Sequence, residues 1–290
     1  MENISQRSFS VSQSYYPFES HWFEQQGCFT HYVDEEEGFP VLMLHGNPTW
    51  SFLYRKVIPQ LKGLCRSIAP DYPGFGFSSH PPSYGYNPQE HAKWVNALID
   101  HLPLSKFILV MQDWGGPIGM SIAVKHPEKV SGLVICNTWC WSPDTIKLRC
   151  FSAFVGSSLG KYLILKENFF VKRIAPFNRA MMTYEELQAY IAPFPTPASR
   201  IGTYVFPRAI RHEAKWLGSI ESKIYLLNDK PVELIFGMKD TAFGNKKTIS
   251  RWLRHFPNSR VERLPSAGHY LQEEAPKRVV AGIKRILERT

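Results

Sequence analysis

Apolar residues along this chain fall into short blocks, each long enough for a strand and too short for a membrane span. Residues 41–44, 107–111, 133–136 and 232–236 are wholly or nearly wholly apolar, as expected of strands covered on both faces. Residues 22–33 fold back on themselves around Gln26-Gly27 and predict an antiparallel hairpin. Residues 66–69 and 260–264 complete a set of eight strands. Helical patterns lie between them. One covers residues 52–61. A second opens at Asn87-Pro88, a good N-cap and first-turn pair, and runs to about His101. Another starts near Trp114, and a last one begins at about Pro276.

Strands alternating with helices predict an α/β fold: a mostly parallel eight-stranded sheet flanked by helices on both faces. The alternation breaks between Thr138 and about Glu213. That stretch is aromatic, basic and helical in pattern, with Pro193, Pro195 and Pro197 near its end. It reads as a helical cap inserted after a core strand, so residues 1–137 and 214–290 form the core and 138–213 the cap. The other reading is a few extra core helices.

Composition adds limits. The chain has 290 residues, 44% hydrophobic and 20% charged, enough for one large core with an insertion. The formal charge is +9, but the basic residues are scattered, without the motifs of a nucleic-acid site. Cys28, Cys65, Cys136, Cys140 and Cys150 are odd in number and include no CxxC pair. Neither a disulfide framework nor a zinc site is indicated, no metal or other cofactor is expected, and a reduced cytoplasm is the simplest setting. Residues 1–14 are polar, unlike a secretory signal, and no segment is expected to span a membrane.

The chemistry concentrates at Val110-Met111-Gln112-Asp113-Trp114-Gly115-Gly116-Pro117, where an apolar strand runs into a tight turn and then a helix. Such a turn presents one side chain above the sheet as a nucleophile. Here that side chain is aspartate, and Met111 replaces the usual glycine two positions earlier. A carboxylate attacking carbon forms an alkyl ester, which water must then hydrolyse. The bland alternative is that Asp113 only caps the helix. Ser266-Ala267-Gly268-His269-Tyr270 follows the last strand and Phe236-Gly237-Met238-Lys239-Asp240 the one before it. The order nucleophile, acid, histidine is that of α/β-hydrolases. His269 is the candidate base and Asp240 its partner. Asn137 occupies the other acid position of this fold and, being neutral, cannot fill that role; Asp144 is a weaker competitor. His45-Gly46-Asn47-Pro48-Thr49-Trp50 follows the strand at 41–44. Backbone N–H groups there and after the nucleophile, at Asn47 and Trp114, can make an oxyanion hole. The Asn47 amide and the Trp114 indole add two neutral donors suited to a departing halide.

Together with Asp71-Tyr72-Pro73-Gly74-Phe75-Gly76 and Phe206-Pro207-Arg208, these motifs resemble the haloalkane dehalogenases across essentially the whole chain. The resemblance implies Asp113 as nucleophile, His269 as base, and Asn47 with Trp114 as the halide pair. With Asp240 as acid, it is closest to the subgroup that combines an Asp-His-Asp triad with an Asn-Trp pair. It implies a small apolar halogenated substrate, water, and a halide ion product. Homo-oligomers occur in that subgroup, and the sequence does not decide the matter here. An epoxide hydrolase would share the nucleophile but needs a cap tyrosine, for which Tyr162, Tyr184, Tyr190 and Tyr204 are candidates. A related luciferase and a non-catalytic ligand receptor are the remaining alternatives. Phe151, Phe154, Phe169, Phe170 and Pro207 are expected to line the substrate pocket, or else to be the cap's own packing.

Overall fold

The structure, a computed structural model, describes residues 9–174 and 182–290. Eight strands are present: β1 His21–Gln25, β2 Cys28–Glu35, β3 Pro40–Leu44, β4 Arg66–Pro70, β5 Phe107–Gln112, β6 Val130–Cys136, β7 Val232–Gly237 and β8 Arg260–Leu264. They form one sheet in the order β1-β2-β4-β3-β5-β6-β7-β8. The pairs β1/β2 and β2/β4 are antiparallel and every other pair is parallel. The first hairpin closes through Gln26 and Gly27, both with positive φ, the geometry that matches the twist of the strands on either side.

The central strands are apolar because helices cover both faces. Residues Phe107–Gln112 of β5 are all buried, as are those of β7. The one charge inside β7, Glu233, is paired with Arg285 at 2.7 Å. Flanking helices are α1 Pro88–His101, α2 Gly115–Ala123, α8 Lys246–His255 and α10 Pro276–Leu287, with a short α9 Leu271–Glu274. The Asn87 side chain accepts from the Glu90 N–H at 3.0 Å and caps α1 as the sequence predicts. The helix expected over 52–61 is instead two 3-10 turns, Ser51–Tyr54 and Ile58–Leu61. Pro59 has no amide hydrogen to carry one helix through.

Between β6 and β7 lie α3 Ile146–Gly156, α4 Ser158–Leu165, α5 Tyr184–Ile191, α6 Ile201–His212 and α7 Ala214–Glu221. No strand occurs there among the described residues. Helix α6 packs on α3 and α4, whereas α7 packs on α2 of the sheet layer. A buried ion cluster ties α5 to the layer below. Arg55 pairs with both Glu186 of α5 and Glu273 of α9, and the Tyr190 hydroxyl donates to Glu273 at 2.6 Å. The five cysteines are all free. Among the described residues no helix is long and apolar enough to cross a membrane.

Candidate active site

The parallel register brings the carboxyl ends of β3, β5, β6, β7 and β8 side by side. Leu44 is level with Met111, Gln112 with Cys136, and Gly237 with Leu264. Asp113 stands directly after β5 with φ +49°. For a residue with a Cβ this left-handed conformation costs about 1–3 kcal/mol. Local bonds hold it: the Asp113 carbonyl accepts from the Gly116 N–H at 3.0 Å and from the Thr138 hydroxyl. Glycines admit the turn. A Cβ on Gly46 would sit 2.3 Å from that of Asp113. Gly119 explains how Met111 is tolerated at the elbow, since a Cβ there would lie 2.6 Å from the Met111 sulfur. The bulk added on the strand is removed from the helix.

The Asp113 carboxylate is held unequally. Its Oδ1 accepts from the Asn47 backbone N–H at 2.8 Å, and the Trp114 backbone N–H also favours the charged carboxylate. Its Oδ2 lies 3.6 Å from His269 Nε2. One oxygen therefore lies against the Asn47 N–H, one of the two donors expected from the sequence, and the other faces the histidine. His269 Nδ1 is 2.8 Å from Asp240 Oδ2, and Asp240 Oδ1 is fixed by the Ala242 N–H at 2.8 Å.

Charges follow from this arrangement. Burial raises the Asp113 carboxyl above its ordinary value; His269 and the two N–H donors work against that rise. Burial disfavours charge on His269 too, but the Asp240 carboxylate outweighs it. With Asp113 and Glu274 adding their charges, His269 is pushed up to about 9. Asp240 lies low: burial raises it, and the charge and hydrogen bond of His269 overcome that.

Asn47 and Trp114 are the halide candidates. Asn47 is buried next to a cis Asn47-Pro48 bond. Its side-chain Nδ2 donates to the Thr203 carbonyl of α6 at 3.4 Å. That carbonyl is available because the residue four positions on is Pro207, which has no N–H to close the helical bond. Trp114 is wedged between Trp139, edge-on at 4.8 Å, and Phe206 at 5.2 Å.

Other candidates fall elsewhere. Asp144 pairs with Lys247 and Arg251 at 2.9 and 3.0 Å, away from His269. Phe154 and Phe169 are 48% and 39% exposed, which corrects the expectation that they line an apolar pocket. Phe170 packs with Val155 and Ile164, and Phe151 borders that group: for these two the structure gives the cap's own packing. Pro207 is buried within α6. A recess of about 650 Å³ along α5, with Lys172 and Ile191 in its lining, includes none of Asp113, Asp240 and His269. Two contacts were not legible in the sequence. Asn137 accepts from the Gly237 N–H and donates to the Gly268 carbonyl, so it ties the acid and histidine loops together where a second acid might have stood. Gln112, quoted in the elbow motif but given no role, reaches His269 across 157 positions.

The fold and this site define an α/β hydrolase, and residues 40–276 match the family model described as "alpha/beta hydrolase fold". The chain is 42% identical over 277 residues to haloalkane dehalogenase 2 of Mycobacterium tuberculosis, spanning 95% of this chain and 97% of that protein. It is 33% identical to a cis-3-alkyl-4-alkyloxetan-2-one decarboxylase of Shewanella oneidensis, over 94% and 90% of the two chains. The crystal structure of the haloalkane dehalogenase DbeA from Bradyrhizobium elkani superposes with a TM-score of 0.84 at 26% identity, covering 93% and 98%. The chain belongs to the haloalkane dehalogenase family of α/β hydrolases.

Proposed function

We propose that this protein hydrolyses haloalkanes to alcohol, halide and a proton through an ester on Asp113. In the first step Asp113 Oδ2 attacks the halogen-bearing carbon. The carbon–halogen bond breaks and the halide leaves with the bonding pair toward Asn47 Nδ2 and the Trp114 indole N–H. In the second step water attacks Asp113 Cγ while His269 Nε2 takes its proton. Charge develops on Oδ1, already bonded to the Asn47 N–H, where fixed donors need no rearrangement. Collapse expels the ester oxygen, which takes the proton left on the added hydroxyl and departs as the alcohol; the carboxylate is restored and His269 passes its proton to solvent. Residues 138–213 are the cap over this site.

The observation that carries the reading is the split environment of the Asp113 carboxylate, one oxygen against the Asn47 N–H and one toward His269. It also times the base. While Asp113 is ionised its charge helps to keep His269 protonated. Esterification removes that charge, so the histidine gives up its proton more readily and is free to act as the base when one is required.

Against the epoxide reading, no hydrogen bond joins a cap tyrosine to Asp113 or His269 among the described residues. Tyr162 and Tyr184 are exposed, the Tyr190 hydroxyl is committed to Glu273, and the Tyr204 ring packs beside Lys161 and Arg208. The decarboxylase relative supports a second reading, the same nucleophile acting on a strained oxetan-2-one ring. A panel of chloro-, bromo- and iodoalkanes set beside a cis-3-alkyl-4-alkyloxetan-2-one separates the two. Sustained halide release over many turnovers is expected. Carbon dioxide from the lactone without halide release would replace dehalogenation with the second reading.

A further inference from the structure

Gln112, the last residue of β5, is fully buried beside the reacting nitrogen. Its side-chain Nε2 lies 2.9 Å from His269 Nε2 and 3.3 Å from the His269 carbonyl oxygen. A carbonyl can only accept, so the NH2 end of the amide must face the histidine. One hydrogen then goes to the carbonyl and the other to the ring. The ring nitrogen that receives it must be carrying its lone pair. This agrees with the other side of the imidazole, where Nδ1 donates to Asp240 at 2.8 Å.

We propose that Gln112 is a positioning residue for ester hydrolysis, gripping His269 at ring and carbonyl and favouring the neutral ring against the surrounding carboxylates, so that Nε2 is free to take a proton from water once Asp113 is esterified. The inference rests on the two-step reading above. The groups around His269 make its direction clear. Asp240 from the β7 loop, Asp113 from the elbow and Glu274 from α9 all favour the charged ring, while the Phe243 ring, 6.0 Å away, carries no charge. An imidazolium Nε2–H would meet the Gln112 N–H donor to donor. Gln112 is thus the counterweight to three carboxylates. Its Oε1 is buried and has no partner among the described residues.

The test compares the unaltered enzyme with Gln112→Met and Gln112→Glu. Methionine keeps the length and removes the donor; glutamate keeps the shape and replaces the donor with an acceptor. Rapid quench with a bromoalkane, read by intact-protein mass from about pH 5.5 to 9.5, follows adduct formation and adduct decay separately. Loss of a donor to the neutral ring favours the charged ring, so the acid limb of adduct decay should move to higher pH. The order should be Gln, then Met, then Glu, and decay should slow more than formation. An unmoved limb in both folded variants, or equal slowing of both steps, would reduce Gln112 to packing. Absence of an adduct in the unaltered enzyme and in a His269→Phe control would instead remove the two-step reading itself.

Discussion

The strand-end loops and the helical segment between β6 and β7 are built on different principles. At the strand ends each functional side chain is placed by backbone. Asp113 is held by a left-handed turn, Asn47 by its own N–H on the nucleophile, and Asp240 by the Ala242 N–H. In segment 138–213 the aromatic residues are placed by what they pack against. Phe170 joins Val155 and Ile164, while Phe154 and Phe169 face outward. The two regions meet at many points, among them the Asn47 amide on the Thr203 carbonyl and Arg55 between Glu186 and Glu273. The chemistry is set by local geometry and its surroundings by tertiary contacts.

Substitutions at the strand ends should therefore stop the reaction, and substitutions in the cap should tune it. Asp113→Asn should abolish steady-state halide release while the near-isosteric fold persists by circular dichroism. Asp240→Asn should slow hydrolysis of the intermediate by up to about 10⁴-fold, the scale set by losing the carboxylate beside a catalytic histidine. Asp144→Asn, whose carboxylate pairs with Lys247 and Arg251 instead, should match the parent in the same stopped-flow assay. Asn47→Ala and Trp114→Phe should each slow alkylation by about 10²–10³-fold, measured as the burst of halide. Equal loss on Phe154→Ser, an exposed cap position, would erase the distinction between the regions.

The points of contact test it more finely. Arg55→Met leaves Glu186 and Glu273 buried with only Lys56, at 3.1 and 2.9 Å, to offset their charge, and should destabilise the protein in urea unfolding by less than the roughly 3–5 kcal/mol of a fully unpaired buried ion. Pro207→Ala returns an N–H to α6, which can reclose on the Thr203 carbonyl in competition with Asn47. Thermal stability should hold or rise, because proline inside a helix is unfavourable, while bromide affinity falls a few-fold, about 1 kcal/mol for one neutral hydrogen bond. Bromide quenching of tryptophan fluorescence reads the second effect. Unchanged affinity would mean that the cap does not orient Asn47.

How much was legible in the sequence divides along the same line. The elbow could be read because an apolar strand, one acid and two glycines within ten residues specify a turn by local rules. Asn87-Pro88 specified a helix start in the same way, and the two long-range partners, Asp240 and His269, were legible because each directly follows a strand. The helix over 52–61 failed on a local rule passed over, the proline at 59. Gln112 was visible but mute, since nothing near it in the chain says that His269 lies 2.9 Å away. Phe154 and Phe169 misled because an aromatic residue in an amphipathic segment looks the same whether it faces a pocket or the outside. Pro207 was noticed as apolar, although what distinguishes it here is the hydrogen it lacks.

The covalent intermediate is the centre of the account, and His269→Phe exposes it most directly. Phenylalanine cannot accept a proton from water, while Asp113, Asn47 and Trp114 remain to carry out alkylation. The folded variant, mixed with excess bromoalkane, should release about one halide per site and stop. Its intact mass should rise by the alkyl group, and peptide mapping should place that group on Asp113. Continued turnover without a mass change, or an adduct on any other residue, would contradict the mechanism.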